Sequence, residues 1–294
     1  MSDMRIGLLT RNVDAWCSQQ LSEAMTKRGI EPVPLRFQQL SAWVGFKRKV
    51  GSGSINLEEL DALIVRPIGP GSLDECLLRI DLLHSLSRAG LTVINHPSAI
   101  ERCIDKYYTL SYLEECGVKV PRTVVTESVE EALEAFRELG GDVVCKPLFG
   151  SRGIGVTRLM DYEVASRVFR TLAFVHHVIY LQEFIPHGTR DIRAFVVGDR
   201  VVASMYREAT GWKTNVSQGA RPIPLKLDRS LEDLAVRATS LMGCEIAGVD
   251  ILEGKDGYYV TEINSQPGWR GLQSVTKVKI ADVIIDYVVS KVKR

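Results

Sequence analysis

The sequence lacks any long hydrophobic run. No stretch of about 18 consecutive apolar residues occurs in it, which excludes an ordinary membrane-spanning helix. Neither sign of charge is in excess, because 37 Lys and Arg stand against 36 Asp and Glu. This balance gives no reason to expect nucleic acid or an anionic membrane as a partner. The first residues lead directly into a strand-like segment, so we expect no signal peptide.

Cysteine is also scarce. The 294 residues include six cysteines, and no two of them form a Cys-x-x-Cys pair. This excludes a disulfide scaffold and the common zinc-binding spacings. We expect reduced cysteines that are mostly buried, and a cytoplasmic location.

The first hundred residues alternate strand and helix patterns. Strands are predicted at 5–10, 63–65 and 92–94, with helices between them. A short segment at 31–35 contains Pro32 and Pro34, which suits an edge strand at best. The alternation predicts a small parallel α/β domain over residues 1–100.

The pattern changes after residue 100. Helical segments at 106–116 and 129–139 flank short strands, and from residue 178 the chain is mostly strands. We therefore predict an α+β unit at 101–180 that carries a glycine-rich flap. A second unit at 181–294 is built on antiparallel sheet, and the overall class is α/β and α+β.

The flap runs from Gly150 to Val156 and follows a strand that ends at Lys146. Its glycines allow backbone N–H groups to approach an anion, and Ser151, Arg152 and Gly153 could contribute to that contact. The lysine could reach phosphate oxygens as a point charge. A mobile glycine hairpin with no ligand explains this segment about equally well.

A second group combines Asp250, Glu262 and Asn264. If residues 255–257 form a three-residue hairpin loop, Gly254 lies opposite Tyr258 and Asp250 opposite Glu262. Asn264 then shares their face. Two carboxylates and an amide oxygen favour a divalent cation such as Mg²⁺, whereas solvated carboxylates on an open sheet face are the alternative.

A third group lies on the intervening strands. Its members are Gln182, Glu183, Phe184, Asp191, Arg193, Arg207, Lys213 and Asn215. Each residue alone would suit a solvated strand face. With the flap lysine and the metal-type group, they predict a cationic cradle for a phosphoryl group.

These segments, in this order and together with Lys106, resemble the ATP-grasp superfamily, and within it the RimK-like branch of amino-acid ligases. The resemblance covers about residues 95–294. It implies three α/β domains, the first a Rossmann-like (pre-ATP-grasp) domain, with a nucleotide held between the other two. Two segments depart from the family pattern: Lys213-Thr214-Asn215 stands where Arg-Ser-Asn is frequent, and Trp269-Arg270 follows the Pro-Gly.

The resemblance also implies residue roles. Lys106 and Lys146 would contact ATP phosphates, Glu183 and Phe184 the adenine, and Asp191 the ribose. Lys213 and Asn215 would make further nucleotide contacts, with Gln182, Ser151, Arg152 and Gly153 beside them. Asp250, Glu262 and Asn264 would hold magnesium, usually two ions, with manganese as an alternative. Arg193 and Arg207 would act in catalysis.

The implied activity is ATP-dependent carboxylate–amine ligation through an acyl phosphate. The opening residues, the flap and the Trp212–Asn215 segment look most like ligases that add L-glutamate to a small acidic cofactor of the tetrahydromethanopterin type. Alternatives are a protein C-terminus or an amino-group carrier protein as acceptor, or a non-catalytic nucleotide-binding regulator. Arg66 and Arg270 are candidate substrate contacts, and relatives of this kind are usually homo-oligomers.

Overall fold

The computed structural model describes residues 4–150 and 153–292. A parallel sheet with the order β2-β1-β6-β7 forms the first part of the chain, next to a small antiparallel sheet of β3, β4 and β5. In chain order this part contains β1 (Arg5–Thr10), α1 (Trp16–Thr26), β2 (Glu31–Arg36), β3 (Leu40–Ala42), β4 (Val50–Ser52), β5 (Ile55–Asn56), β6 (Ala62–Val65), α2 (Leu73–Arg88), β7 (Thr92–Ile94) and α3 (Pro97–Ile104).

The order of this sheet follows from its residues. The strands β1 and β6 are almost wholly buried, as expected for the apolar central strands of a parallel sheet. The strand β2 lies at the edge, which confirms the prediction from Pro32 and Pro34, because proline cannot donate a ladder hydrogen bond.

The second part is an antiparallel sheet with the order β10-β9-β11-β8. Its elements are α4 (Lys106–Glu115), β8 (Thr123–Thr126), α5 (Val129–Glu138), β9 (Val143–Lys146), β10 (Thr157–Leu159), α6 (Tyr162–Phe174) and β11 (Ile179–Glu183). The helices α5 and α6 cover the sheet through a shared core that includes Phe136 and Phe169. The flap connects β9 to β10.

The third part is a five-stranded antiparallel sheet with the order β14-β13-β12-β15-β16. Its elements are β12 (Arg190–Val197), β13 (Arg200–Glu208), β14 (Arg221–Pro224), α7 (Arg229–Leu241), β15 (Ile246–Gly254), β16 (Gly257–Asn264), α8 (Arg270–Gln273) and α9 (Ile280–Lys291). The helix α7 covers one face. The other face carries charged side chains such as Asp191 and Arg193, and further along β12 Phe195 and Val197 pack in the core that includes α9.

The first and third parts share a core. Ile6 and Leu8 of β1 belong to the same buried cluster as Phe195 of β12 and Ile284 of α9. Arg28, just after α1, also forms ion pairs with Asp282 and Asp286 of α9. The C-terminal helix therefore ties the parallel sheet to the five-stranded sheet.

Seven of the elements described here were absent from the sequence interpretation: β3, β4, β5, α3, α6, β14 and α8. The helix α6 and the strand β14 were not predicted, although α6 begins at a capping residue, Asp161, which accepts from the Val164 N–H. The second sheet continues to Glu183, so a boundary at 180 would divide it. We propose boundaries at the end of α3 and in the loop 184–189. Among the described residues, no helix is long and apolar enough to cross a membrane.

The core of the second part can be tested with two phenylalanines of α6. Phe169 is fully buried, whereas Phe174 is 84% exposed. We expect Phe169→Ala to lower the free energy of unfolding by about 3–5 kcal/mol, because it leaves a cavity. Phe174→Ala, the matched control, should change it by less than about 0.5 kcal/mol. Urea unfolding measures both, and equal effects would contradict the assigned core.

Candidate active site

A row of charged side chains crosses one face of the five-stranded sheet. Arg207 of β13 lies opposite Asp191 of β12, and Arg193 of β12 lies opposite Asp250 of β15. Asp250 in turn lies opposite Glu262 of β16. Directly opposed residues share a face, and so do residues two apart in a strand. The register therefore brings all five side chains to one surface.

The pairing of Asp250 with Glu262 confirms the prediction, but the turn that produces it is different. Gly254 pairs with Gly257 and not with Tyr258, so the predicted three-residue loop was wrong. Gly257 has φ of 114°, which permits the tighter turn. A register shift between Asp250 and Ile251 then restores the expected pair.

Asp250 is held by two arginines. Arg193 binds both of its carboxylate oxygens, with Nη2 at 2.9 Å from Oδ2. The Nη2 of Arg207 lies 3.1 Å from the same Oδ2. Arg207 also binds both oxygens of Asp191, through Nε at 2.7 Å and through Nη2. The four side chains form one continuous ion-pair network.

This network is buried. Asp191 and Asp250 are each 4% exposed and Arg207 is 5% exposed. Burial alone would lower the pKa of Arg207, but the charges of Asp250 and Asp191 hold it above its usual value. Removing one partner of a buried ion pair typically costs about 3–5 kcal/mol, because the other charge is left uncompensated. The network therefore fixes the positions of both guanidinium groups.

Glu262 is the carboxylate of the row with the strongest need for a cation. Burial, and next the neighbouring charge of Asp250, raise its pKa. Lys106, Arg193 and Lys146 oppose that shift. An additional cation would relieve the repulsion between the two carboxylates.

The oxygen donors of the row fit a divalent ion. Among the described residues, no group of three His, Cys, Asp or Glu side chains is placed to hold a metal, so a cation bound at Asp250 and Glu262 would need a third ligand of another type, such as Asn264. Its Nδ2 donates to Gly248 O at 3.5 Å, which leaves Oδ1 for a cation. The arginine contacts occupy about three of the four lone-pair positions of Asp250, so one remains.

Lys146 points into the same site from β9. Its Nζ donates to Gln182 Oε1 at 2.6 Å, and Gln182 Nε2 donates in turn to Thr123 Oγ1 at 3.0 Å. Burial lowers the pKa of Lys146 to about 8, while the charge of Glu262 opposes the shift. A buried lysine of this kind is costly for folding, which favours a functional role.

Lys106 fixes the start of the flap. Its Nζ donates to the carbonyl oxygens of Leu148 and Gly150, both at 3.1 Å. Burial lowers its pKa, and the nearby carboxylates Glu262 and Asp105 act in the opposite direction. The lysine thus connects α4, the flap and the charged row.

The far side of the flap approaches Asn215. A Cβ atom at Gly153, where φ is 70°, would lie 2.4 Å from Asn215 Oδ1. Only glycine fits there, because the left-handed conformation and the close approach both exclude a side chain. Ser151 and Arg152, predicted to bind a nucleotide, lie outside the described residues.

The segment predicted to hold adenine follows β11. The Glu183 N–H donates to Arg122 O at 2.9 Å, and the Phe184 N–H to Asp142 O at 3.1 Å. The Glu183 side chain also turns to Arg122, whose backbone N and Nε donate to it. A purine here would therefore meet the carbonyl groups of this segment and not these two amides.

A pocket joins these groups. Of the predicted site residues, it is lined by Lys106, Lys146, Gly153, Gln182, Glu183, Phe184, Asp191, Arg207, Lys213, Asn215, Asp250 and Glu262. With Arg193, the row and pocket contain the five cations Lys106, Lys146, Arg193, Arg207 and Lys213, against the four carboxylates Glu183, Asp191, Asp250 and Glu262. The resulting excess of positive charge suits a polyanionic ligand.

Two further residues, Trp212 and His187, line the pocket. The Trp212 ring packs edge-on against the Phe184 ring, with the ring centroids 5.9 Å apart. Sequence reasoning did not assign a role to His187, because nothing in its local pattern marks it. Arg66 is buried behind the loop that follows β16, and Arg270 is exposed at the start of α8.

Comparison with known families agrees with this arrangement. The model of the RimK-like ATP-grasp domain matches residues 103–288, well over half of the sequence. The chain belongs to the RimK-like ATP-grasp family. This confirms the family predicted from the sequence motifs.

Individual relatives extend the similarity to nearly the whole chain. A tetrahydromethanopterin:alpha-L-glutamate ligase of Methanococcus maripaludis is 35% identical over 288 residues, covering 96% of this chain and 97% of the relative. The protein of the same name from Methanocaldococcus jannaschii is 35% identical over 300 residues, covering 99% and 100%.

The fold is also that of solved structures. The ATP-grasp ligase PsnB complexed with minimal precursor superposes with a TM-score of 0.79 at 22% identity, covering 98% of this chain and 99% of that one. The ATP-grasp fold predicted from the sequence is confirmed. This RimK-like ATP-grasp chain thus combines α/β and α+β parts.

The buried charge of Lys146 gives a prediction about stability. Between about pH 8 and pH 10.5 the unfolded chain keeps this proton whereas the folded chain loses it, so the contribution of Lys146 to stability rises with pH. We expect the stability difference between wild type and Lys146→Met to change by about 2 kcal/mol in favour of wild type from pH 7.5 to pH 9.5.

Urea unfolding of both proteins at the two pH values measures this change. Lys119→Met, which removes a lysine from the surface near Tyr259, is the control and should show no such pH dependence. A constant difference for Lys146→Met would contradict a buried, easily deprotonated lysine.

Proposed function

We propose that the protein is an ATP- and Mg²⁺-dependent ligase that joins L-glutamate to a carboxylate of a tetrahydromethanopterin-type cofactor. The observation that carries the proposal is the cationic pocket lined by Asp250 and Glu262, with Asn264 two positions after Glu262 on the same strand. The names of the two methanogen relatives support the choice of substrates. The reaction is a carboxylate–amine ligation in two steps.

In the first step, a substrate carboxylate attacks the γ-phosphate of ATP and forms an acyl phosphate with release of ADP. Lys106 and Lys146 hold phosphate oxygens from the flap side, and Arg193 stabilises the charge that develops on the transferred group. Magnesium bound to Asp250, Glu262 and Asn264 would supply further charge neutralisation. Mn²⁺ would suit the same oxygen ligands, and the proposal includes the two ions that the family resemblance implies.

In the second step, the amino group of L-glutamate attacks the acyl carbon, and inorganic phosphate leaves. An amide bond forms and no side-chain nucleophile is required, because positioning and charge stabilisation are sufficient. Arg207 holds Asp250 and lines the pocket, so we assign it to steadying the transferred phosphoryl group. Glu183 and Phe184 would hold the adenine, and Lys213 and Asn215 would make the further nucleotide contacts.

Asp191 was assigned to the ribose by resemblance. In the structure its two oxygens bind Arg207, so a ribose hydroxyl would have to use the remaining lone pairs. This side chain also positions Arg207, and through it Asp250. We therefore propose a double role for Asp191.

The proposal includes a homo-oligomer and a cytoplasmic location. Leu73, Leu77 and Leu78 are exposed on α2, where they form an apolar surface suited to a second copy of the chain. The six cysteines are free thiols in the structure, which supports a reducing compartment.

The activity is tested by measuring ADP release with ATP, Mg²⁺ and each amino acid against a panel of acceptors. We expect ADP release that depends on both L-glutamate and tetrahydromethanopterin, with a glutamylated product in the mass spectrum. Glutamate-dependent turnover only with acidic protein tails would instead support a protein acceptor. ADP release that no amino acid stimulates with any acceptor would favour a nucleotide-binding regulator.

The metal assignment is tested by Glu262→Gln. This change removes the charge but keeps the shape, so we expect a folded protein with ADP formation at least about a thousandfold below wild type, similar to the loss of a principal charge-stabilising group. Glu253→Gln, on the same hairpin but bonded to Tyr206 and Arg190, is the matched control and should remain active. Full turnover by Glu262→Gln would remove Glu262 from the metal site.

A further inference from the structure

The carboxyl ends of the first parallel sheet include a point where the strand order changes direction. From β1 the chain passes to β2 on one side and later returns to β6 on the other side of β1. At such a switch point the loops leave in opposite directions and open a crevice, where open α/β sheets usually bind ligands. Arg66 follows β6 at this position, and the first turn of α1 lies beside it.

Arg66 is a buried cation without a carboxylate partner. It is 7% exposed, donates from Nη2 to Pro267 O at 2.9 Å, and stacks on Trp269 with its Cζ 4.8 Å from the ring centroid. Within residues 4–150 and 153–292 no carboxylate forms an ion pair with it. Burial lowers its pKa, and Cys17 is the group that opposes the shift. A guanidinium has five N–H donors, so most of its hydrogen-bonding capacity is left over.

Two more buried donors lie next to Arg66. Over the part of the chain that the structure describes, Trp269 Nε1 and Gln266 Nε2 have no hydrogen-bond partner. The orientation of Gln266 is fixed, because its Oε1 accepts from the Ile68 N–H at 3.4 Å. Buried polar groups are nearly always satisfied in folded proteins. Within the described residues, two buried donors without an acceptor thus lie beside an arginine whose hydrogen bond to Pro267 O uses only part of its capacity, which indicates that a further acceptor comes from a ligand.

The chemistry of the donors selects an anion. An arginine fork together with two neutral N–H groups matches the two oxygens of a carboxylate. The positive end of α1, which contains no acidic residue in its first turn, adds to the same preference. Trp16 at that helix end packs edge-on against Trp269, with the ring centroids 6.3 Å apart.

This donor cluster adjoins the charged row. A Cβ atom at Gly248 would lie 3.0 Å from Pro267 Cβ and 2.6 Å from Arg193 Nη1. Pro267, whose carbonyl oxygen accepts from Arg66, thus also lies near Arg193. A molecule anchored at Arg66 by one carboxylate can extend its other end to the place where the phosphoryl group is transferred.

We propose that Arg66, Gln266 and Trp269 bind a carboxylate group of a dicarboxylate substrate, one that does not itself react. The group belongs either to the incoming L-glutamate or to the acceptor, and both sources present the same chemistry. The assignment of these substrates rests on the proposed function, but the binding of a carboxylate at this site can be measured without turnover.

The test uses the full-length protein with Mg²⁺ and a non-hydrolysable ATP analogue. Calorimetry gives the Kd of L-glutamate and, separately, of tetrahydromethanopterin for wild type and for the variants Arg66→Lys, Gln266→Met and Trp269→Phe. We expect each variant to raise the Kd of one of these two ligands at least tenfold, while the Kd of the ATP analogue changes less than twofold. The ligand affected identifies the source of the carboxylate.

The control is Trp16→Phe, which alters the neighbouring indole and should leave both Kd values within twofold. In steady-state assays the three variants should raise the KM of the same ligand and leave kcat close to wild type, since the bound carboxylate does not react. Circular dichroism verifies that each variant is folded, and Gln266→Met, which nearly keeps side-chain volume, tests the site if Arg66→Lys does not fold.

The outcomes separate this inference from the proposed function. Unchanged Kd values in all folded variants, or no binding of either ligand to wild type, would overturn the carboxylate site even if ligation is observed. If the variants weaken binding but wild type releases no ADP, the carboxylate site would stand and the ligase activity would be refuted.

Discussion

The site depends on how one buried aspartate is held. Asp250 lies between Arg193 and Arg207 on a sheet face where burial would make any isolated charge expensive. Asp191 completes the network by binding Arg207. Because each charge has a partner, the side chains keep fixed positions, and Glu262 is left as the carboxylate with a raised pKa. A metal ion bound here would therefore chiefly offset the charge of Glu262.

The lysines on the opposite wall of the pocket are held in a different way. Lys146 and Lys106 are half-buried with lowered pKa values, and they donate to an amide oxygen and to carbonyl oxygens. Such neutral acceptors orient an ammonium group without neutralising it. The free protein therefore carries positive charge where phosphates would bind, at a cost in stability that a polyanion can offset.

Much of the fold and site could be predicted from local patterns. Apolar runs located the strands of the first sheet, prolines placed β2 at its edge, and the two-residue period put Glu262 and Asn264 on one face. The turn at 255–256 was predicted one residue too long, and a bulge compensated for the error, because hairpin turns and bulges are decided by backbone conformation. The helix α6 was missed although its cap is regular.

The sequence by itself determined the types of side chain, their order and the strand faces they occupy, since these follow from residue chemistry and from the period of a strand. Only the tertiary structure decided which charges meet. The pairing of Asp191 with Arg207, 16 positions apart, and the contact of Arg66 with Pro267, 201 positions apart, depend on sheet register and on how the first and third parts pack. Burial is a property of the assembled chain, and it converts ordinary polar residues into groups that require a partner.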